Sequence, residues 1–307
     1  MKRIFCFLLL LSTACSLYAE AYFAFTANAK KAYRQAVSLR FDEAKSSIAA
    51  LKMAEPKNLV AYHLENYIDF FTIIINEDEK EFKRLEKNKA YRLNQIKKGD
   101  KSSPYYLYTQ AEILLQWATA RLKFEEYVEA FNEVSKAYKL LEKNQRLFPN
   151  FVANNKSMGV LHAAVGNIPD SFKWGVKLLS GMDGTIEQGR KELEEVIKYA
   201  QHNDFIFEEE SLALYAFLML HLKNDNEEAW KILQNNKLDP ATNPMACFVL
   251  ANVALNTGRN DEAIRILENK PKGSQYHTFQ YLDYMLGEAK LHRLDEDAAD
   301  YLLRFVQ

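Results

Sequence analysis

The chain has 307 residues and a near-neutral balance of 40 basic against 41 acidic residues, which argues against a polyanion such as nucleic acid as the natural partner. Nearly half of its residues (48%) are hydrophobic, enough to bury a sizeable core. The three cysteines, Cys6, Cys15 and Cys247, leave no pair for an internal disulfide once the first two are read as part of a leader.

Lys2 and Arg3 precede the apolar run Ile4 to Leu11, and small residues follow at Ser12, Thr13, Ala14 and Ala19. This is the order of a secretory signal peptide, residues 1–19, with cleavage expected after Ala19 and a core too short to span a bilayer. Ser12–Thr13–Ala14–Cys15 also resembles a bacterial lipobox, with Cys15 as the lipidation site and Ser12 where a leucine is usual. Either route predicts export to the periplasm or cell envelope. Membrane contact is expected only if Cys15 is lipidated. Without Lys2 and Arg3, 38 basic residues face 41 acidic ones.

Residues 20–307 read as one helical domain. Ala21 to Ala54 carries apolar residues at helical spacing in two runs, a helix pair. Leu59 to Ile75 is a second strong helix whose end, Phe70–Ile75, is apolar all round and so is expected at the centre of the stack. Glu77 to Lys101 is charge-dense with a thin stripe of Phe82, Leu85, Leu93 and Ile96, a solvated helix rather than a basic patch. Ser103–Pro104 restarts the pattern, and two long helices run to Leu147. From about 150 to 190 lies a Gly/Pro-rich insertion. It holds six of the ten glycines and Pro169. Asp204 to Leu222, Glu227 to Leu233, Pro244 to Leu267 and Tyr276 to Val306 complete the array. The last segment ends in an apolar helix, so the end is expected either to be covered by another surface or to continue past Gln307.

The clearest unit is Asn243 to Leu267. Asn243 suits the N-cap, Pro244 the first helical position and Gly258 a left-handed helix end. Ala263 recurs as Ala229, 34 residues earlier, and as Ala298, 35 later; Leu250–Ala251 recurs as Leu286–Gly287. Phe41–Asn58 and Gly184–Leu193 carry the same phrase. A period near 34 with two helices per unit resembles the tetratricopeptide (TPR) repeat over most of the chain beyond residue 25. The resemblance implies an all-α fold, an α-α superhelix built from antiparallel helical hairpins, and binding rather than catalysis. The segment 150–196 also resembles the central part of a eukaryotic TPR family linked to the mitochondrial outer membrane and inclusion clearance.

In TPR arrays the first helix of each hairpin lines a concave groove. Carried onto this chain, the groove positions are Met245, Phe248, Asn252 and Leu255, then Tyr281, Tyr284, Glu288 and Leu291. Asn252 stands where such repeats often hold a ligand's backbone, and an amide both donates and accepts. The resemblance therefore points to a scaffold that binds another envelope protein or peptide through Phe248, Asn252, Tyr281, Tyr284 and Glu288. The alternative is a carrier of a small apolar ligand or lipid in a chamber beside the glycines.

Catalytic and metal-binding patterns are not found in the sequence. No HExxH, Cys–His cluster, phosphate loop or G-x-S-x-G occurs, so no metal, cofactor or catalytic residue is expected. His162, beside Gly159 and Gly166, is the best catalytic position and reads as a packing histidine. Glu208, Glu209 and Glu210 read as a solvated face. Trp117, Trp174 and Trp230 read as core or interhelix residues.

Overall fold

The computed structural model describes residues 21–234 and 238–306, and these residues form an all-α fold without strands. Six helices make up the first half: α1 Ala27–Val37, α2 Phe41–Ala54, α3 Val60–Asn76, α4 Glu79–Ile96, α5 Pro104–Lys123 and α6 Tyr127–Leu147. In the middle come α7 Ala153–Gly166, α8 Asp170–Ser180 and α9 Ile186–Ala200. The remaining helices are α10 Glu208–Leu218, α11 Asn226–Gln234, α12 Pro244–Asn256, α13 Asn260–Glu268, α14 Tyr281–Arg293 and α15 Ala298–Val306, with α10 running into a π-helical turn, Met219–Lys223.

Local chemistry sets many of the boundaries. Asp78 accepts from the N–H groups of Lys80 (2.7 Å) and Glu81 (3.2 Å), satisfying first-turn donors of α4. Asn243 does the same for α12, accepting from Met245 at 2.9 Å and Ala246 at 3.3 Å, with Pro244 at the first position. Thr185 caps α9 through the Gln188 N–H at 3.0 Å. Gly181 ends α8 in the left-handed region at φ 79°, a conformation that costs glycine nothing.

Helices pack in sequence-adjacent pairs: α1 with α2, α3 with α4, α5 with α6, α10 with α11, α12 with α13 and α14 with α15. In the middle, α7 pairs with α9, and α8 is inserted between them in sequence. The leading helices also touch one another in series, α1 to α3, α5, α7, α10, α12 and α14. Ala44, Ala229, Ala263 and Ala298 are all buried in the second helices of their pairs, where a small side chain allows close approach. Ala130 in α6 is buried in the same manner, a counterpart that the sequence pattern had not marked.

The buried residues form two cores. One is built largely from α1 to α7, and the other from α9 to α14 with Ala163 of α7. Phe279, in the segment between α13 and α14, packs against both.

Three expectations are corrected. Of Phe70–Ile75 only Ile73 is buried; its neighbours are half-buried, because α3 turns its Leu64–Tyr67–Ile68 face inward instead. Trp174 is 74% exposed rather than packed between helices. Glu210 is not a solvated carboxylate: it accepts from the buried ammonium of Lys156.

Candidate functional site

The residues expected to line a groove sit on α12 and α14, which touch each other. Phe248 and Asn252 lie one turn apart on α12, and Tyr281, Tyr284 and Glu288 follow one stripe of α14. The rings meet. Phe248 and Tyr281 are 6.1 Å apart between centroids, and Tyr281 stacks on Tyr284 at 5.3 Å. Phe248, Tyr284, Asn252 and Glu288 are half-buried, and Tyr281 is 39% exposed. The basin is thus an aromatic surface reachable from solvent. Burial raises the Tyr281 hydroxyl above its ordinary value, with the neighbouring Tyr284, Glu288 and Glu77 adding to the effect. It remains a neutral donor and acceptor at neutral pH.

Three further rings enlarge this surface. Phe305 of α15 lies 5.2 Å from Tyr284 and 6.3 Å from Tyr281. Phe279 lies 5.6 Å from Phe248, and Phe217 of α10 lies 6.4 Å from it. A count restricted to the first helices of the last two pairs misses all three. Phe217 belongs to the preceding pair, Phe279 to a loop, and Phe305 to a second helix. Asn256 donates to the Asn252 backbone oxygen at 2.9 Å and, more weakly, to its Oδ1 at 3.4 Å. The Asn252 amide is therefore held at the basin's edge by its neighbour one turn on.

A second polar assembly lies among the leading helices. Lys156 of α7 is fully buried and donates to Glu112 Oε2 of α5 and Glu210 Oε1 of α10, each at 2.6 Å. Tyr33 of α1 and Tyr67 of α3 donate to Glu210 Oε2 at 3.1 and 2.9 Å, and Ser157 donates to Glu112. Two carboxylates, paired to one ammonium and to hydroxyl donors, offset the cost of burial. The arrangement ties five helices together. Its partners are separated by 44 and 54 residues, so no local pattern announced it.

In the glycine-rich segment, Gly159 and Gly189 serve close helix contact. A Cβ on Gly189 would lie 2.2 Å from the Gly159 oxygen, and one on Gly159 would lie 2.9 Å from the Gly189 oxygen. There α7 and α9 touch through their backbones. A cavity of about 580 Å³ lies elsewhere, between α1 and residues 200–209, and is lined by polar groups including Arg34, His202 and Glu209. His162 is buried on α7, with Nδ1 2.6 Å from Glu192 Oε2 and its ring edge-on to Tyr138. Cys247 is a buried free thiol that burial pushes up to about 12, so it stays protonated.

Among the described residues no group of three or more His, Cys, Asp or Glu side chains is placed to hold a metal, and no helix is long and apolar enough to cross a membrane. Ala19 and Cys15 lie outside the described residues, as does Gln307. No protein-family model matches the chain, and no curated protein matches it.

Proposed function

We propose that the chain is an exported, TPR-like helical scaffold whose concave side binds an extended or helical peptide of another envelope protein. The observation that carries this reading is the aromatic basin. Phe248, Tyr281 and Tyr284 come from two leading helices in contact, form one ring-to-ring surface, and stay partly open to solvent. Rings of this kind bury large area at low entropic cost, which is why they dominate binding hot spots. The series of contacts among the leading helices, with a second helix behind each, supports stacked hairpins in a superhelix. Export rests on the residue order of 1–19, and an intact mass beginning at Glu20, or at a lipidated Cys15, is the expected outcome.

The groove is tested with a displayed peptide library selected on the wild-type protein. Tyr284→Ala together with Asn252→Ala is expected to weaken the selected peptides by about 1–2 kcal/mol or more, at least about fivefold in Kd, with helix content unchanged. Peptides that bind both proteins equally would place the binding face elsewhere.

A further inference from the structure

α8 turns its apolar face outward along its whole length. It makes only slight contact with the other helices, and its inward side is Val176 and Ser180. Phe172 (67% exposed), Trp174 (74%), Leu178 (67%) and Leu179 (75%) all face solvent. At about 100° per residue, these four with Ser171 and Gly175 cover an arc of roughly 160° that holds no charge. The charges are gathered on the flank beside Trp174: Lys173 pairs with Asp170 at 2.9 Å, and Lys177 with Asp183 at 2.5 Å.

We propose that α8 is a lipid-contacting helix that lies in the interface of a membrane, with Phe172, Trp174, Leu178 and Leu179 inserted among the acyl chains. Three features favour lipid over a protein partner. The arc is the outer side of a single helix that makes only slight contact with the other helices, so it can lie flat on a planar surface. Its polar atoms are one indole N–H and one hydroxyl, whereas protein interfaces carry about one hydrogen bond per 100–200 Å². A tryptophan bordering lysines, with phenylalanine and leucines beyond, matches the layering of headgroups over hydrocarbon. Because both lysines are already paired, the contact depends on apolar insertion rather than on anionic lipid. It is independent of Cys15, and it gives the envelope scaffold a second route to the membrane.

The chain supplies its own reporter. Of its three tryptophans, Trp117 and Trp230 are buried, so iodide in solution quenches Trp174 selectively. With the full-length chain and neutral phosphatidylcholine vesicles, Trp174 emission is expected to shift to the blue and lose its iodide quenching. Lipids brominated on the acyl chain should quench it. The effect should persist from about 0.1 M to about 1 M salt, where the screening length falls from roughly 10 Å to 3 Å. Leu178→Glu with Leu179→Glu places charge at exposed positions, so folding is expected to be retained. These changes should weaken the Trp174 response at least about tenfold in lipid concentration. A Trp174 signal indifferent to vesicles overturns the proposal, as does one abolished by salt. So does a concentration-dependent dimer, seen by sedimentation without lipid, that the same two substitutions dissolve.

Discussion

Lys156 and His63 show how a buried charge shapes its surroundings. The ammonium is held between Glu112 and Glu210, and His63, fully buried on α3, meets no hydrogen-bond partner at either ring nitrogen. Burial and the nearby positive charge push His63 down to about 3, so its ring is neutral in the folded protein. An unfolded chain takes up that proton near the ordinary value of about 6.5. Between these values the unfolded state binds more protons, so stability falls as pH drops from about 6.5 towards 3, by up to about 1.4 kcal/mol per unit. Chemical denaturation at a series of pH values, for wild type and His63→Gln, should show the difference between the two shrinking or changing sign as acid is added. Two curves that stay parallel would mean that His63 is protonated as easily folded as unfolded.

Among the elements, α7 to α9 contain the sharpest contrast between glycine as contact and glycine as plain helix. At Gly189 an added Cβ meets the Gly159 backbone oxygen, which cannot swing aside, so Gly189→Ala is expected to cost roughly 1–3 kcal/mol. At Gly175, within α8, a Cβ meets nothing within 4 Å, and alanine there should stabilise by about 0.5–1 kcal/mol through helix propensity. Thermal melts of the two variants should move in opposite directions, and a shared direction would contradict the packing of α7 against α9. This contrast also marks the limit of sequence reading. Helix starts at Ser103 and Asn243 were legible because caps are local chemistry, and the ring positions Phe248, Tyr281 and Tyr284 because hairpins of regular length put equivalent positions side by side. The outward face of α8 was not legible, since a helix has the same apolar period whether that face meets a core or solvent. Nor was the role of Glu210, whose partners come from α1, α3 and α7.

Across the whole molecule, the two cores are joined by more than the chain passing between them. Tyr33 of α1 reaches Glu210, and Lys30 pairs with Asp204 at 2.5 Å. The segment between α13 and α14 reaches back to the first helices through His277. Its backbone N–H donates to the Leu39 oxygen at 2.7 Å, its ring lies 4.7 Å from Phe41, and Nε2 is 2.7 Å from Asn76 Oδ1. Leu39 sits at the α1–α2 turn and Asn76 ends α3, so one residue fastens the late part of the array to two early pairs. Phe279, two residues on, carries the basin ring that meets Phe248. The aromatic cluster around Phe248 and the molecule's closure therefore depend on the same segment. His277→Ala removes the ring contact and the Asn76 bond, which together are expected to cost about 1–2 kcal/mol. Hydrogen exchange at the residue-277 amide, whose acceptor is on Leu39, reads the opening directly and should quicken about 5- to 30-fold relative to wild type. Burial is the main reason that the His277 ring sits below its ordinary value; Lys45 adds to this, while Glu81 and Asp42 oppose it. Protonation therefore favours the released segment, and closure weakens as pH falls below about 6.5. In wild type, protection of this amide, corrected for the intrinsic pH dependence of exchange, should decline from pH 7 to pH 5, whereas His277→Gln, which carries no titrating ring, should hold constant. Equal protection in wild type and His277→Ala at pH 7 would show that the segment is held by Phe279 and its neighbours, and that His277 is not the fastening.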